Sequence, residues 1–161
     1  MSHNNHLASR CIKYLDVVVS AASEMQSSLR TLAVRFPANT DLLPAIQQLL
    51  AEHNIQAACI LTCVGSLTSA VLRYANMNEP TTLRGHFEIV SLVGTLDSKG
   101  GHLHLSIADN TGRTIGGHMM PLGNLVYTTV ELVIGVLERV QFTRGPVPDS
   151  QWDELIIQKT S

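Results

Sequence analysis

The chain has 161 residues, 45% of them hydrophobic and 15% charged, and a formal net charge of −2 at neutral pH. That length suits one domain with ample material for a core, and the acidic balance excludes a generic nucleic-acid binder, which needs a basic face for the phosphate backbone. Charged residues are scarce against about 25% in an average soluble protein, so a sizeable surface is expected to be buried between copies of the chain.

Residues 1–30 carry only weak helical periodicity, at Ile12, Leu15, Val19 and Ala22, and are expected to form an appended helix or a loose arm. Asp16 and the small residues after Val19 keep this stretch from reading as a signal peptide or membrane span. The domain proper is placed at residues 31–161. Cys11, Cys59 and Cys63 are odd in number and lack Cys-x-x-Cys spacing, the pattern of reduced thiols in an intracellular, cytoplasmic protein.

Thr31–Phe36 alternates Leu32, Val34 and Phe36 on one side, a strand ended by Pro37. A helix follows, capped by Thr40 or Asp41, with Pro44 in its first turn and Leu42, Ile46, Leu49, Leu50 and His53 on one face. Ala57–Val64 and Leu67–Tyr74 read as two core strands broken at Gly65-Ser66. After a loop at Asn76–Thr82, His86–Leu96 forms a strand with both faces largely covered. One face holds Phe87, Ile89, Ser91, Val93 and Thr95; the other holds Val90, Leu92, Gly94 and Leu96, with Glu88 near its start. A turn at Asp97–Gly101 leads into a hairpin of His102–Ala108 and Thr114–Met120. Val126–Val136 and Leu137–Phe142 read as two further strands, ended by Arg144-Gly145-Pro146, and Leu155–Ile157 as a last short one. One main amphipathic helix against a mostly antiparallel sheet is an α+β pattern.

The hairpin carries the chemistry. Strand alternation puts His102 and His104 on one face, with Cα atoms roughly 6.5 to 7 Å apart. The Asp109-Asn110-Thr111-Gly112 turn, formed through the Asp and Asn side chains, brings His118 back opposite or almost opposite His104 if it is tight. Three neutral imidazoles with one open position are a recurring zinc ligand set, and the same donors accept nickel, copper or cobalt. The alternative is a polar patch bonded to carbonyls and water. Glu88 and Glu131 are the acids that could orient an imidazole or activate a metal-bound water; pairing with Arg35, Arg84 or Arg113 is the structural alternative. Ser66 reads as a turn residue, Cys63 as an inert core thiol, Met77, Met119 and Met120 as packing, and Trp152 as an anchor for the last strand or a neighbouring subunit.

From residue 31 onward the order of motifs resembles the plant and prokaryote conserved (PPC) domain. The Arg35 strand with Asp41-Leu42-Leu43, Val64-Gly65-Ser66-Leu67, Gly85-His86-Phe87-Glu88-Ile89-Val90, the His-x-His hairpin with Gly116-Gly117-His118, and Tyr127-Thr128-Thr129-Val130-Glu131 follow one another as in that family. The resemblance implies an α+β domain assembled as a homotrimer, with the histidine cluster available to a metal such as zinc. The role implied is binding of a ligand or a protein partner, with no membrane. Plant members add AT-hooks and act in the nucleus, which offers a DNA-binding, transcription-regulatory alternative. Here Arg144-Gly145-Pro146 lacks the second arginine of an AT-hook, and His86 replaces the arginine of the family signature. A metal-dependent hydrolase, with Glu88 or Glu131 as base, is the second alternative.

Overall fold

Residues 24–148 and 150–160 are described by a computed structural model. Nine elements follow one another among them: β1 (Leu29–Pro37), α1 (Leu42–Glu52), β2 (Ala58–Arg73), β3 (Thr81–Leu96), β4 (Gly101–Ala108), β5 (Thr114–Met119), β6 (Val126–Leu137), β7 (Val140–Pro146) and β8 (Asp153–Lys159). The helix or arm expected over residues 1–30 lies, up to residue 23, outside the described residues.

β1 ends at Pro37, which has no N–H for a further ladder bond, and the chain reverses at Asn39 with φ 65°. In α1 the buried residues are Leu42, Leu43, Ile46 and Leu50, the spacing of one apolar face. Leu49 is partly buried against the same core, but His53, expected on that face, is the exposed C-cap. Asp41 holds the N-cap position without capping the helix through its side chain. Its carboxylate instead accepts the backbone N–H groups of Gly123 at 2.8 Å and Asn124 at 3.1 Å, tying the helix entry to the β5–β6 turn. Thr40 donates its hydroxyl to the carbonyl of Pro37 at 2.8 Å.

Six strands form an antiparallel sheet in the order β1-β6-β2-β3-β4-β5, and β5 also returns to the end of β2, where Leu72 faces Met119 and Arg73 faces His118. The strands β2 to β5 therefore close on themselves. Closure needs long, strongly bent strands. β2 and β3 have 16 residues each, and their ladders are interrupted by irregularities at Ile60/Thr62, Gly65/Leu67, Leu67/Ser69 and Ile89/Ser91, which increase local twist. Leu67, Leu72, Leu92, Leu96, Leu103, Leu105 and Ile107 fill the interior together with the apolar face of α1 and with Val126, Val130, Leu132 and Ile134 of β6. β7 and β8 make a separate two-stranded sheet, with Val140 and Phe142 packed on Ala57.

Four expectations are corrected here. The two strands expected over 57–74 are the single strand β2: Gly65 pairs with Val130 and Ser66 with Glu88, so Gly65-Ser66 bends the strand without ending it. β3 begins at Thr81, inside the expected loop. The bulge between Ile89 and Ser91 slips its alternation by one, so Ile89, Leu92 and Leu96 are buried while Val90 and Val93 are 57% and 52% exposed; both faces are not covered. Finally, a turn at Glu138-Arg139 separates β6 from β7, which continues through Arg144 to Pro146.

Candidate metal centre

The β4–β5 hairpin is closed by one carboxylate. Asp109 Oδ1 accepts the Thr111 N–H at 2.8 Å, the Thr111 hydroxyl at 2.6 Å and the Arg113 N–H at 3.1 Å. These bonds, that of the Thr111 hydroxyl foremost, hold the Asp109 carboxyl below its ordinary range. The connection runs over residues 109–113, with Gly112 at φ 79°, and takes in Arg113 beyond the four residues read as the turn. The register is nonetheless the one that matters: His104 lies directly opposite His118.

Leu103, Leu105 and Ile107 turn inward and are buried, so His102 and His104 project from the outer face, beside Thr95 and Val93 of β3. Between those two residues lies Gly94, at φ 146°, where a Cβ would collide with the carbonyl oxygen of His102. The close approach of β3 to β4 under the histidines thus requires glycine. The second contact of β5, with the end of β2, fixes His118 from the other side.

The three rings converge. One nitrogen of each lies within 4.8 Å of the others, and Nε2 of His102 is 3.2 Å from Nε2 of His104. Two nitrogens bound tetrahedrally to one zinc at the usual bond length would stand about 3.3 Å apart, so the spacing suits a shared ion. Nδ1 of His118 is buried and has no hydrogen-bond partner among the described residues, a costly state for a polar atom. His118 is pushed down to about 4, by burial first and then by the charges of His102 and Arg73. His102 is lowered for the same leading reason, then by His104 and Arg144. Both rings are therefore neutral at pH 7, the form that binds a metal.

The acids named from the sequence are not at this cluster. Glu88 pairs with Ala108, four residues from His104 or about 13 Å along the strand. Glu131 is on β6, three strands from β4 and two from β5, and does not converge with the histidines. Both are exposed, and Glu131 faces Arg35 across β1–β6, yet the salt bridge found among the described residues joins Arg30 to Glu138 at 3.2 Å. Arg35 donates to Thr129 Oγ1 instead, at 3.5 Å.

The charged groups that do act on the histidines are Arg73, Arg144 and Glu154. Arg73 comes from the end of β2, and the other two from the β7–β8 hairpin. Trp152, 59% exposed, has the Arg73 guanidinium 5.5 Å from its ring centroid. No local motif marks these residues; sheet closure and the last hairpin bring them there. Cys63 behaves as expected, its thiol pushed up to about 12 by burial. Met119 is buried, whereas Met77, expected to pack, is 54% exposed.

The Plants and Prokaryotes Conserved (PCC) domain matches residues 23–138. The bifunctional protein GlmU of Synechococcus sp. (strain JA-3-3Ab) is 40% identical over 134 residues, which are 83% of this chain and 21% of that protein; the chain thus spans about a fifth of this curated relative. A solved structure from Salmonella enterica is 41% identical, with a TM-score of 0.82 over 85% of this chain and 99% of the other. The metal-containing protein of Archaeoglobus fulgidus shares the fold at 24% identity, with a TM-score of 0.72 over 84% of this chain and 99% of its own.

Proposed function

We propose, on the premise that this chain belongs to the Plants and Prokaryotes Conserved domain family, that it is a homotrimeric metal-binding module that recognises a ligand or protein partner. One observation carries the metal half: His102, His104 and His118 present a nitrogen each within 4.8 Å, from two strands whose register is fixed on both sides. Zinc suits three neutral imidazoles best, although nickel, copper or cobalt would fit the same donors. Assembly is supported by the apolar residues left on the outer surface of β2 and β3. Leu61, Val64, Val90 and Val93 are 47 to 57% exposed, an unusual density for a monomer's sheet.

The hydrolase reading draws no support from the two acids named for it, because neither Glu88 nor Glu131 converges with the histidines. The DNA reading lacks both a basic charge balance and an AT-hook.

The test is metal analysis of protein purified without affinity resin, alongside light scattering. The expected result is one ion per chain and the mass of a trimer, with the ion lost in His104→Ala. A metal-free monomer indifferent to His104→Ala would overturn both halves.

A further inference from the structure

We propose that the open position on the metal held by His102, His104 and His118 takes an oxyanion, the carboxylate or phosphate of a small molecule, gripped by Arg73 and Arg144. This rests on the metal reading above. Three neutral imidazoles leave the full charge of a divalent ion uncompensated, so an anionic fourth ligand is favoured by the ion itself.

The surroundings reinforce that preference. Arg73 stands directly across from His118 in the β2–β5 ladder, and its guanidinium is set by the Trp152 ring at 5.5 Å. Arg144 lies on β7 opposite Leu155. It also walls a cavity of about 480 Å³ whose far side is the β3–β4 turn, Asp97–Gly100. Only Gly101 separates that turn from His102, and the lining carries Lys99 as a second cation and Asp97 as its carboxylate.

Among the described residues neither arginine makes a salt bridge or a side-chain hydrogen bond. Glu154, on β8 of the same hairpin, accepts the Ser150 hydroxyl through Oε1 at 2.8 Å. Two guanidinium groups and a divalent metal outweigh the carboxylates of Glu154 and Asp97 and leave the site net positive. Planar guanidinium forks match carboxylate and phosphate oxygens in pairs, and the cavity has the size of a small-molecule site. Arg73, Arg144 and Trp152 are thus recognition residues, and the last hairpin, beyond the matched family region, supplies two of the three.

Cobalt(II)-loaded protein provides the test, because its visible spectrum reports directly on the fourth ligand. Cobalt stoichiometry is measured first, and then phosphate and acetate are titrated in separate experiments at fixed ionic strength. A saturating spectral change with at least one anion is expected, and the anion that saturates at lower concentration identifies the group. Arg73→Met and Arg144→Met should each weaken that binding roughly tenfold while cobalt stoichiometry stays unchanged. Arg144→Lys, which keeps charge and fold, should weaken it less. Cobalt bound with a spectrum indifferent to both anions overturns this inference and leaves the metal reading standing, as does equal anion binding by the methionine variants. Failure to bind cobalt overturns both.

Discussion

Burial holds His118 at about 4 although its ordinary value is 6.5, and this has a defined effect on stability in the metal-free protein. The unfolded chain takes up a proton near 6.5 that the folded chain refuses until about 4. The contribution of this residue is therefore complete above about pH 6.5 and is lost as pH falls towards 4. His102, shifted in the same direction, steepens the decline. Urea unfolding of the metal-free chain at a series of pH values should show a plateau above about 6.5 and a fall below it, flattened in His118→Gln. A rise in stability on acidification through that window would contradict the assignment. The histidines and their spacing are legible in the sequence because a residue's face on a strand follows from its number alone. Arg73, Arg144 and Glu154 carry no such mark. Arg73 reaches the triad only because β5 returns to β2 and sets His118 across from it, 45 residues away in the chain.

Two elements test how the hairpin is held. Gly94→Ala would drive a Cβ into the carbonyl of His102 at φ 146°, so it should cost about 2 to 4 kcal/mol of stability and weaken metal binding as β4 is pushed away. Denaturant unfolding and metal titration read the two effects separately; normal values for both would show that β3 can shift freely. Asp41→Ala leaves the Gly123 and Asn124 N–H groups without their acceptor and should cost about 2 kcal/mol, with metal content unchanged because the hairpin is held elsewhere. The strands were largely readable from alternation and the helix from its three-and-four spacing. Bulges were not: an extra residue at Ile89/Ser91 leaves the composition of β3 untouched while reversing which side faces the core. Gly65-Ser66 shows the converse error, since the same residues can end a strand or bend it, and only their partners Val130 and Glu88 decide.

At the scale of the whole molecule, the outer apolar surface is the feature most in need of a partner. Val90→Asp, at a position 57% exposed in the single chain, should leave folding intact by circular dichroism and reduce the light-scattering mass to that of one chain, since an unpaired carboxylate buried in an interface costs several kcal/mol. A variant that keeps the wild-type mass would place the interface on another face. The low charge content anticipates such a surface without locating it. By itself the sequence determined the fold class, the helix, most strands and the return of His118 to the neighbourhood of His104, because each follows from local periodicity or from one short turn. Tertiary structure alone decided that β5 returns to β2, that Val90 and Val93 face outward, and that Arg73 stands across from His118 with Trp152 against its guanidinium. Those outcomes depend on where long, bulged strands curl and meet, a property of many weak contacts summed over the sheet and of no single segment of the chain.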